Sequence, residues 1–378
     1  MRVVSPKTCQ SAVKTAHIWI GLIFGAFLCI TCLSGSIAVF RPELESAFSP
    51  QVAPSDVRAN LDDAVKPVLA SNPGWRLTRV LLPVSSRNTF ILTLEAGAKR
   101  QRRIIVDAGT GAIAGELRLP WLDWVIDLHH NFLAGRAGRR VVGGIGVVLF
   151  LVSASGFLLS LTRKPSWRSL VLITVRRSGL RRRFYFELHR ATGLWAYAFL
   201  TLLSLTGIAL AYPEALRSTS GTRVPIARTK SSRSPSSRSL EEYLAAGRAA
   251  LPFAQLTELR LPRSSKDPIN LRFRVVSDLG NAGRNELILD PAGRVLGTRY
   301  IAEGAGGARL QSASTAIHYG EVGGFPIKLL WCFAGIAPTL LFVTGLLFWF
   351  RGNSRRDVAR NPPRQESRNE FLVTQRTL

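Results

Sequence analysis

Residues 18–40 read IWIGLIFGAFLCITCLSGSIAVF and contain no charged side chain. Three further stretches share this property, at 141–162, 191–213 and 329–350. Each is about as long as the twenty or so residues that an α-helix needs to cross a bilayer. The sequence therefore predicts four membrane helices. A cleaved signal peptide is the alternative for the first run, but that run is long for the apolar part of a signal.

The chain is strongly basic, with 50 Lys and Arg against 24 Asp and Glu in 378 residues and a formal net charge of +26. Nucleic acid would suit such a charge, but the apolar runs argue against it as a partner. The segments 1–16, 162–188 and 351–378 hold 18 Lys and Arg in 71 residues, whereas 41–140 and 213–326 hold 30 in 214. Under the positive-inside rule this bias predicts cytoplasmic termini and two long outward segments, in the periplasm of a bacterium.

The four apolar runs form two pairs with one spacing pattern. A Ser/Thr-Gly pair follows a histidine at offsets 17 and 18 in the first and third runs, and a glycine follows a histidine by 27 residues at the second and fourth. The residues are His17 with Ser34-Gly35, His189 with Thr206-Gly207, His129 with Gly156, and His318 with Gly345. A fixed spacing that recurs along a chain indicates a tandem duplication.

Each outward segment contains the same order of predicted elements. The first has a helix at 61–70 capped by Asn60, strands near 76–83 and 89–94, and a hairpin beginning at 104–111. The second has a helix at 240–250 with Ser239 and Glu242 spaced as a capping box, strands near 256–261 and 269–275, and a hairpin beginning at 287–293. We expect two small α+β domains, with the Ser- and Arg-rich stretch 217–240 as a flexible linker before the second.

All five histidines lie at or near the ends of apolar runs; they are His17, His129, His130, His189 and His318. In the predicted topology His17 and His189 share the inner side, and the other three share the outer side. Two imidazoles that face each other suit the axial positions of a haem iron. Zinc and copper also accept imidazole but usually take three or four protein ligands. Interfacial histidines that bond to headgroups or to neighbouring helices are the structural alternative.

Two further points stay open from the sequence alone. His129 and His130 point about 100° apart on a helix, so the two cannot simply bind one iron together. The spacing favours His129 as the ligand. The alternatives for His130 are that it faces the aqueous site, that it binds a propionate, or that it is the ligand in place of His129. Four Ser/Thr-Gly pairs serve either helix packing or the close approach of a macrocycle. The pairs are Ser34-Gly35, Ser155-Gly156, Thr206-Gly207 and Thr344-Gly345.

Six motifs together resemble the PepSY-associated transmembrane proteins, which include ferric-siderophore reductases and iron-regulated membrane proteins. The motifs are AHIWIGL (16–22), IIVDAGTGAIAGE (104–116), DLHHNFLAGRAGR (127–139), ELHRATGLW (187–195), LILDPAGRVLG (287–297) and AIHYGEVGG (316–324). The resemblance implies an all-α four-helix membrane bundle with two small α+β periplasmic PepSY domains. It also implies two haem b groups per chain, with His17 and His189 as axial ligands of the inner haem and His129 and His318 as those of the outer one.

The expected organisation follows from the apolar runs and the resemblance together. It comprises a cytoplasmic tail (1–16), a first membrane helix (17–40), a first PepSY domain (41–128), a second helix with its lead-in (129–162), a cytoplasmic basic loop (163–188), a third helix (189–213), a linker and second PepSY domain (214–317), a fourth helix with its lead-in (318–350) and a cytoplasmic tail (351–378).

The function that the resemblance implies is electron transfer across the inner membrane to reduce a ferric siderophore. The electron donor is either membrane quinol or a cytoplasmic flavoprotein reductase. A flavoprotein would dock on five arginines of the basic loop, which otherwise set topology and bind anionic lipid. They are Arg176, Arg177, Arg181, Arg182 and Arg183. A haem-free membrane sensor or binding protein for an envelope partner is the main alternative, and a transporter is a third reading.

Overall fold

The computed structural model describes residues 6–84, 87–97, 100–161, 181–218, 238–262, 264, 267–280, 283–301, 304 and 306–360. Two of the sequence predictions concern residues that lie largely outside these ranges. Arg176 and Arg177 of the basic loop lie outside the described part of the chain, and so does most of the linker 217–240.

The described residues contain ten helices, four of which are long and apolar enough to cross a membrane. In chain order the helices are α1 (Pro6–Ala38), α2 (Arg41–Ala47), α3 (Leu61–Ala70), α4 (Pro120–Asn131), α5 (Gly135–Leu161), α6 (Arg181–Ala211), α7 (Pro213–Ser218), α8 (Leu240–Ala250), α9 (Gly306–His318) and α10 (Gly324–Arg360). The candidate spans are Gln10–Ala38, Gly135–Leu161, Arg183–Ala211 and Gly324–Arg351. This confirms the prediction of four helices of membrane-spanning length and composition.

Large apolar side chains on these helices are exposed, as lipid-facing residues should be. On α1, Trp19, Ile23 and Phe27 are 54%, 61% and 50% exposed. Water would penalise such exposure, whereas lipid tails are as apolar as the side chains themselves. A helix is also the secondary structure that satisfies every backbone hydrogen bond within one segment of a bilayer.

The chain divides into two compact units, each of which contains one part of every long helix. The first unit lies within Met1–Ile30, Val148–Thr201 and Ile336–Leu378, and the second within Thr31–Val147 and Leu202–Gly335. Glycine allows close helix contacts in both. In the first unit a Cβ at Gly25 would collide with the ring of Phe342, and in the second a Cβ at Gly146 would lie 3.1 Å from Ile208 Cγ1. Such small residues let helices approach one another in a bilayer.

The second unit contains an eight-stranded antiparallel sheet. Its strands are β1 (Arg76–Leu81), β2 (Thr89–Ala96), β3 (Arg100–Asp107), β4 (Ile113–Glu116), β5 (Gln255–Arg260), β6 (Ile269–Arg274), β7 (Asn285–Leu289) and β8 (Val295–Arg299). The spatial order is β4-β3-β2-β1-β5-β6-β7-β8. Both predicted hairpins are present, as β3–β4 and β7–β8.

The two long segments between the membrane helices, each expected to form a separate α+β domain, share this one sheet. β1 of the first segment pairs with β5 of the second, with Val80 opposite Leu259. Both side chains are fully buried. As separate domains, the first segment would leave β1 as an unpaired edge strand and the second would leave β5 as one. The pairing of β1 with β5 removes these two edges.

Helices α3 and α8 lie against one face of the sheet, where their apolar side chains join those of the strands in one core. Both helices begin as predicted. The side chain of Asn60 accepts a hydrogen bond from the backbone N–H of Asp62 (2.8 Å), and Ser239 with Glu242 forms a capping box. Such caps satisfy the free backbone donors of a first helical turn.

Helix α4 packs against the opposite face of the sheet, through Leu122 and Ile126 against Ile91 and Ile105. It ends at Phe132, whose φ of 46° lies in the left-handed region, before the chain turns into α5. The last turn of α4 carries His129 and His130. In the second half of the chain, α9 likewise ends on a histidine, His318, shortly before α10 begins.

Candidate functional site: two histidine pairs

The first unit holds a pair formed by His17 of α1 and His189 of α6. The two ring centres are 6.2 Å apart, and the ring planes are nearly perpendicular at 87°. His17 Nδ1 lies 2.9 Å from Ser155 Oγ on α5. His189 Nδ1 lies 2.9 Å from the carbonyl oxygen of Leu341 on α10. Each imidazole is thus held by a helix other than its own.

The second unit holds a pair formed by His129 of α4 and His318 of α9. Their ring centres are 6.1 Å apart, and the planes are inclined by 30°. His129 Nδ1 lies 2.8 Å from the carbonyl oxygen of Thr31 on α1. His318 Nδ1 lies 2.9 Å from Thr206 Oγ1 on α6. Four of the five predicted histidines are therefore brought together as two pairs, in the combinations expected from the sequence.

The hydrogen bonds fix the tautomer of two rings and are compatible with the same tautomer in the other two. A carbonyl oxygen can only accept, so His129 and His189 donate from Nδ1–H. The hydroxyl of Ser155 donates its single hydrogen to Val152 O (3.0 Å), and that of Thr206 donates to Leu202 O (2.8 Å). With that hydrogen engaged, these hydroxyls can accept from the Nδ1–H groups of His17 and His318. In this tautomer Nε2 carries the lone pair that could bind a metal, and outer hydrogen bonds commonly orient metal-binding histidines in this way.

Each Ser/Thr-Gly pair packs against one of the paired histidines, and the sequence did not predict this contact. The glycine of each pair lies against Cε1 of one imidazole, and an added Cβ would lie 2.7 to 3.3 Å from that carbon. The contacts are Gly35 with His129, Gly156 with His17, Gly207 with His318 and Gly345 with His189. The available signal was the recurrence of a Ser/Thr-Gly pair in all four long helices. We call each such pair, with the carbonyl three residues before its hydroxyl, a histidine seat.

The spacing of each pair fits two imidazoles on opposite sides of one metal ion. Two metal–nitrogen bonds of about 2 Å, with about 1 Å from each nitrogen to its ring centre, separate the centres by about 6 Å. No cluster of three or more His, Cys, Asp or Glu that could hold a metal ion occurs among the described residues. Two ligands alone are few for zinc or copper. A haem brings four equatorial nitrogens of its own, so the residues present fit a haem in each pair.

Burial keeps the second pair neutral. It lowers the pKa of His129, and it lowers that of His318 to about 3 with the help of the neighbouring imidazoles. Burial therefore favours the neutral form of both histidines, which carries a lone pair on one ring nitrogen.

His130 lies beside the second pair. Its ring centre is 5.6 Å from that of His129, and burial lowers its pKa to about 4, with His129, Arg139 and Arg41 acting in the same direction. Of the two adjacent histidines, the structure places His129 in a histidine seat and opposite His318.

Four membrane-length apolar helices combined with an antiparallel sheet define a multi-pass membrane protein with a β-rich domain. The chain belongs to the family described as the PepSY-associated TM region, whose model matches residues 15–351. Over 89 residues the chain is 36% identical to the uncharacterized protein PA4219 of Pseudomonas aeruginosa. That match covers 24% of this chain and 21% of the relative, so the similarity extends over about a fifth of the relative's length.

Proposed function

We propose that this protein is a di-haem electron-transfer protein of the bacterial inner membrane that reduces a ferric chelate, such as a ferric siderophore, on the periplasmic side. The observation that carries the proposal is the presence of two histidine pairs with ring centres 6.2 and 6.1 Å apart. In both pairs the Nδ1 atoms are engaged by other helices, and the Nε2 atoms are left for a metal. Family membership adds a membrane context to this geometry.

The protein's own residues would bind and orient the cofactors. His17 and His189 would hold one haem b, and His129 and His318 the other. Haem b supplies an iron centre that exchanges single electrons. The histidine seats fix the direction of each ring, and their glycines admit the ring edge. The surrounding apolar helices would exclude water.

The reaction balances as a one-electron transfer. A cytoplasmic flavoprotein or membrane quinol gives up one electron for each ferric ion, and the chelated Fe³⁺ becomes Fe²⁺. Oxygen donors of siderophores prefer the harder ferric ion, so reduction loosens the chelate. Lys and Arg are denser in the two terminal segments and in the loop 162–188 than in the two segments that form the sheet. This bias supports cytoplasmic N- and C-termini, with the sheet in the periplasm.

We also propose that the two halves of the chain derive from one duplicated unit. The strand order is symmetric about the β1–β5 pairing, and each half contributes one helix to the same face of the sheet. In this interpretation the two PepSY domains are α3 with β1–β4 and α8 with β5–β8. The four histidine seats, two in each half, support the same origin.

The first experiment is an oxidised-minus-reduced absorption spectrum of the purified full-length protein, with a haem-to-protein ratio. We expect two low-spin b-type haems per chain. His17→Ala and His318→Ala should each remove about one, whereas the matched variant His130→Ala should retain both. Reduction of ferric chelates is then followed with a colorimetric trap for Fe²⁺. Protein that contains no haem after expression with ample haem would reject the proposal in favour of a haem-free sensor or binding protein.

A further inference from the structure

Strands β5–β8, together with the adjoining strand β1, carry a charged face. In β5–β8 the side chains of Leu259, Leu271 and Leu287 enter the core beneath α3 and α8. Their neighbours along each strand point to the other face, because side chains alternate along a strand. Five arginines and two glutamates share that other face, and we call the arginines the arginine face. The arginines are Arg79, Arg260, Arg272, Arg274 and Arg299, and the glutamates are Glu258 and Glu286.

The two glutamates leave positive charge uncompensated. Glu258 is shared by Arg79 (3.0 Å), Arg260 and Arg272 (3.6 Å). Glu286 is shared by Arg272 (3.7 Å) and Arg299 (2.6 Å). Arg274 takes part in no ion pair with the described residues. Five guanidinium groups against two carboxylates leave an excess of three positive charges on this face.

Two of these guanidinium groups have unused donors. Nε of Arg272 and Nε of Arg274 are both buried and have no hydrogen-bond partner within the described part of the chain. Burial and the neighbouring Arg260 lower the pKa of Arg272. A buried N–H donor without a partner is costly, and an anion that accepts from these donors would relieve the cost. The outer members stay open to solvent, since Arg79 and Arg299 are 45% and 51% exposed.

The arginine face lies on the side of the sheet that carries the second histidine pair. Helix α4, whose last turn bears His129, packs on that side against the first half of the sheet. At the end of β6, a Cβ at Gly283 would lie 2.9 Å from the backbone nitrogen of Arg274. The next residue, Arg284, bonds to Glu321 (3.3 Å), three residues after His318.

We propose that the arginine face binds the substrate as an anion, namely a ferric chelate of net negative charge whose oxygen donors are catecholates or carboxylates. This inference rests on the proposed function, because it assigns the substrate class and site of the proposed reductase. Guanidinium groups donate paired hydrogen bonds to such oxygens. A tris-catecholate ferric complex is trianionic and would match the excess of positive charge, whereas a tris-hydroxamate ferric complex is neutral.

The test uses gallium(III) complexes, which copy ferric ones in charge and shape but are not reduced, so that binding is measured apart from electron transfer. The full-length protein in nanodiscs of neutral phosphatidylcholine is titrated with the gallium complex of a hexadentate tris-catecholate. The gallium complex of a tris-hydroxamate is titrated in parallel. We expect the trianionic complex to bind more tightly and its affinity to fall as salt rises.

Arg274→Gln is the principal variant, because it removes a charge without breaking an ion pair among the described residues. We expect binding of the trianionic complex to weaken about ten-fold, the scale of one charge-assisted hydrogen bond. The control is Arg248→Gln on α8, which covers the other face of the sheet; Arg248 pairs with Glu241 there (2.9 Å), and the variant should bind like the parent. Equal binding of both complexes, no binding of the trianionic one, or equal losses in the two variants would overturn the inference.

The result is separable from that of the proposed function. Binding that depends on Arg274 in a protein without haem would support an anion site and reject the reductase. A protein that contains two haems and reduces the chelate, but whose binding does not depend on Arg274, would support the reductase and reject the anion site.

Discussion

Each paired histidine is positioned by a residue far away in the chain. His17 and Ser155 are 138 positions apart, and His129 and Thr31 are 98 apart. Because every Nδ1 is engaged by another helix, the ring orientations are part of the fold. Pre-oriented ligands lose little freedom when a metal binds, and outer-shell partners of this kind commonly contribute about 10- to 100-fold to metal affinity.

The two pairs should be distinguishable by electron paramagnetic resonance. The ring planes are 87° apart in the His17–His189 pair and 30° apart in the His129–His318 pair. If each pair holds a haem iron as proposed, perpendicular imidazole planes would leave two iron orbitals nearly equal in energy, and nearly parallel planes would split them. We predict a strongly anisotropic low-spin signal from the first pair and a rhombic one from the second. His17→Ala should remove the anisotropic signal alone, and two identical signals would contradict the geometry.

At the scale of helices, the glycine of a histidine seat sets how closely α1 approaches α4. A Cβ at Gly35 would lie 2.7 Å from His129 Cε1, whereas nothing lies within 4 Å of a Cβ at Gly21 on the same helix. We predict that Gly35→Ala displaces the imidazole and lowers the haem content toward one per chain. Gly21→Ala should leave it unchanged. Equal haem content in both variants would show that the seat can move to accommodate a methyl group.

An ionic network connects α2, β3 and α4. Arg103 of β3 contacts Glu45 of α2 and Asp123 of α4, and Arg41 also bonds to Glu45. Burial alone would raise the pKa of Glu45, but the two guanidinium groups outweigh it and the net pKa lies below its ordinary value. Because the folded-state pKa is depressed, this carboxylate stabilises the fold above its unfolded pKa. That contribution is lost as the pH falls through the folded-state value.

The predicted consequence is a pH-dependent melting temperature. Between about pH 6 and pH 3 the parent protein should lose more thermal stability than Glu45→Gln, which lacks the titrating group. The control is Asp63→Asn, since Asp63 is 71% exposed in its pair with Lys66. Its pH dependence should match that of the parent. If the melting temperature of Glu45→Gln fell with pH as steeply as that of the parent, the ionic network would not contribute to the loss of stability in acid.

At the scale of the whole molecule, one continuous sheet should make the two halves of the second unit unfold together. Leu259 is fully buried at the junction of β1 and β5. We predict that Leu259→Ala lowers the free energy of unfolding by about 2–5 kcal/mol. Amide exchange should accelerate in β2 and β3 as well as in β6 and β7. Ile113→Ala, on edge strand β4 with a 44% exposed side chain, is the control with little effect. Faster exchange in β5–β8 alone would indicate independent halves.

Local patterns in the sequence determined much of the fold. Runs of apolar residues about as long as a bilayer is thick specify membrane helices, since no other segment satisfies its own backbone there. Asn60 and Ser239 mark helix starts because their side chains accept from the first backbone N–H groups. The recurrence of histidines at fixed offsets predicts that His17, His129, His189 and His318 occupy repeat-related positions.

Only the tertiary structure decided which residues meet. The pairing of β1 with β5, the placing of His129 rather than His130 opposite His318, and the histidine seats all join positions far apart in the chain. The arginine face is likewise assembled from strands of both halves. Such contacts depend on how faces of helices and strands pack, and local periodicity carries no information on which distant face each one covers. The sequence by itself therefore determined the elements and the histidines, while packing determined their partners.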